Sequence, residues 1–306
     1  MMQRMQLAEM RDLALHRLMQ ALPVEACSAI GAELGVWLGQ RAQTDANARA
    51  KNVMRLLRPD GDDEEASADV RALWRNIGRT FAEFSVLPRI VNEGRVTIPR
   101  EDLLRCIAPD PRPVIVCFVH LGNWEVLGAA LSQHPAVIAH RRMSAVVAPP
   151  TNPARAAIAA RLRGMLPVEQ LLMGPSVWRT VLTRLRQPFG TVWLAADAAE
   201  GGVDAPRLGR EPRVDGTMGK IVRLAASTGA RLLPVYCERL GSVRFVIHML
   251  EAVEVPIRQA GAAELLLAVT NLDKAFDTHV RRLVSQWYMA IEFPSAEGLA
   301  ATKGPD

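Results

Sequence analysis

Of the six histidines in the chain, only His120 has a carboxylic acid five residues on, at Glu125. The run between them is Leu121-Gly122-Asn123-Trp124, and before it stands Val114-Ile115-Val116-Cys117-Phe118-Val119. That run is short, apolar and β-branched, which predicts a strand covered on both faces. The chain then turns at Gly122 and enters a helix near Glu125. In open α/β sheets, sites gather beyond the carboxyl ends of strands, where His120 falls. Five residues across a strand-to-helix turn bring the two side chains together, so that Glu125 accepts a proton from one imidazole nitrogen and the other faces a cleft. A neutral imidazole so held is a general base for a hydroxyl or amine attacking a thioester carbonyl. No serine or cysteine nucleophile is needed, and the helix N-terminus with the loop amides favours an oxyanion. A histidine merely hydrogen-bonded at a strand end has the same spacing, so the pattern alone leaves both readings open.

A second group is basic. Arg207, Arg210 and Arg213 precede Thr217, read as a helix N-cap, and Lys220 and Arg223 sit in the first turns after it. Cations there oppose the helix macrodipole, and an anionic ligand such as a phosphate would relieve the conflict. Ordinary surface arginines are the alternative.

The elements that position these residues follow from periodicity. Arg4 to Ala21 reads as a helix with Leu7, Met10, Ala14, Leu18 and Ala21 on one face, bordered by Arg4, Arg11 and Arg17. Such a face either dips into a lipid interface or docks on the rest of the protein. Helical patterning continues from Val24 to about Leu57 and stops at Arg58-Pro59-Asp60-Gly61. The acidic run Asp62 to Glu65 reads as a solvated turn before a helix capped by Ser67, and Ala68 to Val91 is helical again. Beyond Pro113 strands and helices alternate. Ala136–His140, Thr191–Ala195 and Arg231–Cys237 read as strands, and Trp124–Leu131 and Gly219–Ser227 as helices. We therefore expect an α/β fold with a mostly parallel central sheet flanked by helices over residues 105–306, and a helical region over 1–104 packed on it.

Composition bounds the rest. The 306 residues are 49% hydrophobic and 23% charged, enough for one large or two modest cores. The charge of +5, from 37 basic and 32 acidic residues, lacks the basic blocks of a nucleic-acid arm. An anionic small molecule or membrane surface is the milder inference. Cys27, Cys106, Cys117 and Cys237 have no zinc or redox spacing, which fits a reducing compartment and predicts no metal site. No apolar stretch near the N-terminus is long enough to span a bilayer.

From about Leu13 to Phe293 the sequence resembles the bacterial lipid A biosynthesis acyltransferases, the lauroyl/myristoyl transferase branch of the lysophospholipid acyltransferase-like superfamily. Its most specific piece is His120-Leu121-Gly122-Asn123-Trp124-Glu125, the family's His-x4-acid motif. Weaker echoes are Asn152-Pro153 with Arg161 and Arg163, Asp197 after a buried strand, and Thr217-x-Gly219 leading to Arg223-Leu224-Ala225. The resemblance implies a glycerol-3-phosphate acyltransferase-like fold and transfer of a fatty acyl chain from an acyl carrier protein or coenzyme A thioester, with no resident cofactor. The acceptor would be a hydroxyl of a membrane lipid or glycolipid, reached peripherally at the cytoplasmic face of the inner membrane. His120 would be the base and Glu125 its orienter. Arg161 or Arg163 would stabilise the oxyanion or the donor, Asp197 would be structural or line the site, and Asn123, Arg210, Thr217, Lys220 and Arg223 would lie on the substrate side.

The pattern also departs from the family. Ala198 follows Asp197 where glutamine is usual, and Leu208-Gly209-Arg210 replaces a Phe-Phe-Gly loop. Gln286-Trp287 is present, yet the expected His-Arg-Arg cluster is Ile291-Glu292-Phe293. Losing those cations weakens recognition of a bisphosphorylated lipid and leaves the acceptor open. A non-catalytic paralogue that binds acyl chains and a thioesterase-like hydrolase are the competing functions. A serine hydrolase lacks support without a Gly-x-Ser-x-Gly elbow.

Overall fold

The computed structural model describes residues 2–198, 203, 205–256 and 261–293, with side chains from residue 9 onward. Seven strands form one sheet: β1 (Val96–Thr97), β2 (Val114–Phe118), β3 (Arg142–Val147), β4 (Val168–Leu172), β5 (Gly190–Ala195), β6 (Arg231–Leu240) and β7 (Arg244–Met249). Their order is β1-β7-β6-β2-β5-β3-β4, and every pairing is parallel except that of β6 with β7. The central strand β2 is apolar along its length because both of its faces are covered. Ile115, Cys117 and Val119 enter one core, with α11 (Thr217–Thr228) and α12 (Ala262–Arg282). Val114 and Val116 enter the other, against α6 (Glu101–Ile107) and α7 (Trp124–Ser132). The fold is α/β, as the alternation predicts. The division at 104/105 falls inside α6, and β1, on its N-terminal side, already belongs to the sheet.

One expected strand is helical. Ala136–His140, expected as a strand, lies in helix α8 (Pro135–His140), and the strand begins after it at Arg142. Proline at the first helical position suits a helix start, and the His134 ring accepts the Ala136 N–H there at 3.3 Å. Those local signals outweigh the β-branched pair Val137 and Ile138.

The N-terminal region is helical but more segmented than periodicity suggested. The run from Val24 is two helices, α2 (Val24–Ala42) and α3 (Thr44–Leu57). The Asn47 side chain of α3 donates to the Gly39 carbonyl at 3.0 Å, satisfying an acceptor that α2 leaves open at its end. Helix α4 (Asp63–Glu83) is capped by Asp62, whose carboxylate accepts from Glu64 and Glu65 N–H, both at 2.8 Å. The acidic run is thus the helix's first turn, where it complements the dipole, and Ser67 lies inside the helix, not at its cap. A 3-10 turn at Phe84–Val86 then separates α4 from α5 (Leu87–Asn92), because Pro88 cannot donate into a continuous helix. Helices α2 and α4 run antiparallel in close approach: a Cβ on Gly35 would lie 2.7 Å from Gly78 Cα, and one on Gly78 2.0 Å from the Gly31 carbonyl oxygen.

Helix α1 (Met2–Ala21) docks through a face other than its apolar stripe. Asp12 pairs with Arg155 at 2.8 Å, the His16 ring meets Ser85 Oγ at 2.8 Å, and Met19 is buried. Met10, Ala14, Leu18 and Ala21 face outward. Arg4 and Leu7 fall outside the described side chains.

Candidate functional site

Strands β2 and β5 run side by side in register, Phe118 opposite Ala195. The Ala196 N–H donates to the Phe118 carbonyl at 2.7 Å, so the residues two beyond each strand end, His120 and Asp197, fall alongside. The Asp197 side chain is fully buried. Its Oδ1 accepts from His120 Nδ1 at 2.8 Å, and its Oδ2 accepts from the His120 backbone N–H at 2.8 Å and from Trp287 Nε1 at 2.9 Å. An ionised carboxylate only accepts, so Nδ1 carries the proton and Nε2 is the basic nitrogen. The imidazole side chain keeps 18% of its surface exposed.

This corrects the expected pairing. The carboxylate that holds the imidazole is Asp197, whereas Glu125 turns to Arg163: Oε1 accepts from Nη2 at 2.5 Å and Oε2 from Nε at 3.3 Å. Glu125 stands in the first turn of α7 and projects toward α9 (Pro153–Arg163). Sequence proximity favoured Glu125; register across two strands, which no local spacing displays, delivers Asp197.

The loop from His120 to Asn123 is fixed from three sides. Gly122 has φ +59°, and a Cβ on it would lie 2.6 Å from the Cys237 carbonyl oxygen, so both conformation and space require glycine. Its N–H donates to the Gln286 carbonyl at 3.1 Å, its carbonyl accepts from Thr80 Oγ1 at 3.0 Å, and the His120 carbonyl accepts the Tyr288 N–H at 2.9 Å. Asn123, expected among substrate contacts, is buried and committed elsewhere. Its Oδ1 caps α7 by accepting from Glu125 and Val126 N–H, and its Nδ2 donates to Glu83 at 2.8 Å. Glu83, fully buried, also accepts from both Arg239 amino groups, at 2.6 and 2.8 Å, and from Ser28 Oγ at 2.6 Å. Sequence reasoning gave neither Glu83 nor Arg239 a place beside the His120 loop, because they lie far apart in the chain.

The exposed side of the imidazole is aromatic. Trp124 lies 5.0 Å from the His120 ring, Phe118 5.5 Å and Tyr288 6.2 Å, between centroids. Phe81 packs edge-on against Trp124 and Tyr288 and is itself largely exposed. Burial raises the Tyr288 hydroxyl above its ordinary pKa, with Glu292 adding to the effect. Nearby thiols are poor nucleophiles, since burial pushes Cys237 up to about 12 and raises Cys117 as well.

The expected basic residues separate. Arg163 reaches Glu125, while Arg161 is exposed and its charge bears on His16 of α1. The cap of α11 is Gly216, and Thr217 is its first residue, with its hydroxyl donating to the Ala198 carbonyl at 3.0 Å beside Asp197. Arg223 Nη1 donates to the Val214 carbonyl, Arg213 pairs with Asp215, and Lys220 is exposed. Arg210 lies 4.8 Å over the Phe293 ring and donates from Nε to the Arg207 carbonyl at 2.8 Å. In the segment that departs from the family pattern, Ile291 and Phe293 are buried, Phe293 against Trp287 at 6.1 Å, while Glu292 between them is exposed.

No curated protein matches the chain. The model of the family described as bacterial lipid A biosynthesis acyltransferase matches residues 10–291, a span that takes in β1 to β7, the His120 loop and the Trp287 segment. The match covers nearly the whole chain, and the chain belongs to the bacterial lipid A biosynthesis acyltransferases.

Proposed function

We propose that the protein carries a fatty acyl chain from the thioester of an acyl carrier protein or coenzyme A to a hydroxyl of a lipid or glycolipid, working peripherally at the cytoplasmic face of the inner membrane. The observation that carries this reading is the 2.8 Å bond from His120 Nδ1 to the buried Asp197, which leaves Nε2 basic in a partly exposed ring. Nε2 takes the acceptor's hydroxyl proton as that oxygen attacks the thioester carbonyl. Asp197 keeps the tautomer and stabilises the imidazolium as it forms. The tetrahedral intermediate collapses by breaking the carbon–sulfur bond, and the imidazolium returns its proton to the departing thiolate. Ester and free thiol are the products, and the enzyme forms no covalent intermediate.

Arg163, held by Glu125 at the N-terminal turn of α7, supplies a cation for the oxyanion or the donor. Glu125 then acts through Arg163, and Asn123 through the position of both. Among the described residues no helix is long and apolar enough to cross a membrane, so the lipid is met from the surface in this reading.

The test incubates purified wild type and His120→Ala with radiolabelled acyl thioester and a lipid extract. Labelled lipid should form with wild type alone, and equal product from the two would refute the mechanism. Counting released acid beside labelled lipid separates transfer from hydrolysis. Mass spectrometry of lipids from cells with and without the protein names the acceptor.

A further inference from the structure

Helix α2 packs on α4 through its glycine face and leaves a flanking face uncovered. Ile30, Leu34, Trp37 and Leu38 are exposed there, Trp37 by 55% and Leu38 by 51%. At 100° per residue these four fall within an arc of about 100°, a continuous apolar stripe. Glu33, on the border of the stripe, is paired with Arg75 at 3.5 Å. Arg41 closes the end of the stripe, its guanidinium 5.2 Å over the Trp37 ring.

We propose that this face of α2 docks the protein on a phospholipid bilayer bearing anionic headgroups. An indole with a cation above it suits the headgroup level, where an apolar body and a charged tip are both satisfied. The aliphatic residues beside it would reach the acyl boundary, as in helices that lie in the interface plane. The charge balance fits an anionic surface, since the bordering carboxylate is paired with Arg75 while Arg41 adds a cation at the rim. Position favours a lipid over a protein partner. Phe81, 59% exposed, stands on α4 one turn from Gly78, which touches Gly31 and Gly35. Its ring meets Trp124 and Tyr288, which surround His120. The apolar face thus lies on the helix packed against the one that carries Phe81 to the aromatic cluster around His120, and a bilayer held against it would present lipid near the imidazole. This inference rests on the acyl-transfer reading for the identity of the surface, but its test does not depend on turnover.

Full-length wild type, Trp37→Ser/Leu38→Ser and Met10→Ser/Leu18→Ser are floated with vesicles of phosphatidylcholine, with and without phosphatidylglycerol. Wild type should float, more strongly with phosphatidylglycerol. The α2 pair should lose partition roughly a hundredfold, given the area two large side chains withdraw from water. Both substituted pairs are exposed, and circular dichroism checks that they fold. Flotation of the α2 pair equal to wild type, or loss only in the α1 pair, overturns the proposal. So does a concentration-dependent dimer of wild type that the α2 pair abolishes while flotation persists, or flotation that requires added acyl carrier protein. His120-dependent transfer to detergent-dispersed lipid is scored separately. Its survival alongside failed flotation sinks the docking face alone, and its absence alongside normal flotation sinks the acyl-transfer reading alone.

Discussion

Trp287 donates its indole N–H to the Asp197 oxygen that also accepts the backbone N–H of His120, while the other oxygen holds the imidazole. One buried carboxylate is thus fixed by three donors from two distant segments, and its orientation is set before any substrate arrives. Trp287→Phe removes one donor to a buried charge and leaves a cavity where the larger indole was, so unfolding free energy should fall by more than the about 1.5–3 kcal/mol of the hydrogen bond alone. Urea denaturation measures it, and an unchanged midpoint would show that the indole nitrogen does not matter.

Asp197→Asn preserves size but presents an amide to Nδ1 and permits the wrong tautomer. Turnover should drop by about 10²- to 10⁴-fold with little change in KM. Steady-state kinetics on labelled acyl thioester reads the split, and a loss confined to KM would place Asp197 in binding instead.

Glu125 and Arg163 form a pair whose side chains are only 14% and 20% exposed. Each single change, Glu125→Gln or Arg163→Met, should lower turnover, and the double variant should be little worse than Arg163→Met. A double-mutant cycle on kcat measures this coupling. Strictly additive losses would mean that Glu125 acts independently of Arg163.

Glu83 and Arg239 join α4 to β6 beneath the His120 loop, with side chains 0% and 2% exposed. Arg239→Met strands a buried carboxylate and should cost about 3–5 kcal/mol of stability. Adding Glu83→Leu should recover part of that loss. Thermal melts of the single and double variants decide it.

Asp273, on α12, accepts the Arg207 N–H at 2.7 Å, and burial raises its carboxyl pKa from 3.8 to about 6. The folded state therefore binds this proton more tightly than the unfolded chain does. Stability should fall as pH rises from about 4 to 6, by about 3 kcal/mol from this group, and level off above that. Asp273→Asn keeps the acceptor and should flatten the slope. Urea unfolding at stepped pH is the check, and an identical slope in the variant would assign it to other groups.

Several elements follow from signals that are local in the chain. The apolar β-branched run before His120 made β2, the chain turned at Gly122, and a helix followed from Trp124. Alternation beyond Pro113 made the sheet mostly parallel, and His120 followed at its rim. Tertiary structure decided which carboxylate the imidazole meets, because Asp197 arrives by strand register and Glu125 is drawn off by an arginine from another helix. It also decided that the apolar stripe of α1 faces outward, since Asp12, His16 and Met19 found partners on the protein. A hydrophobic period reports that a helix has two faces, and only packing settles which of them is covered.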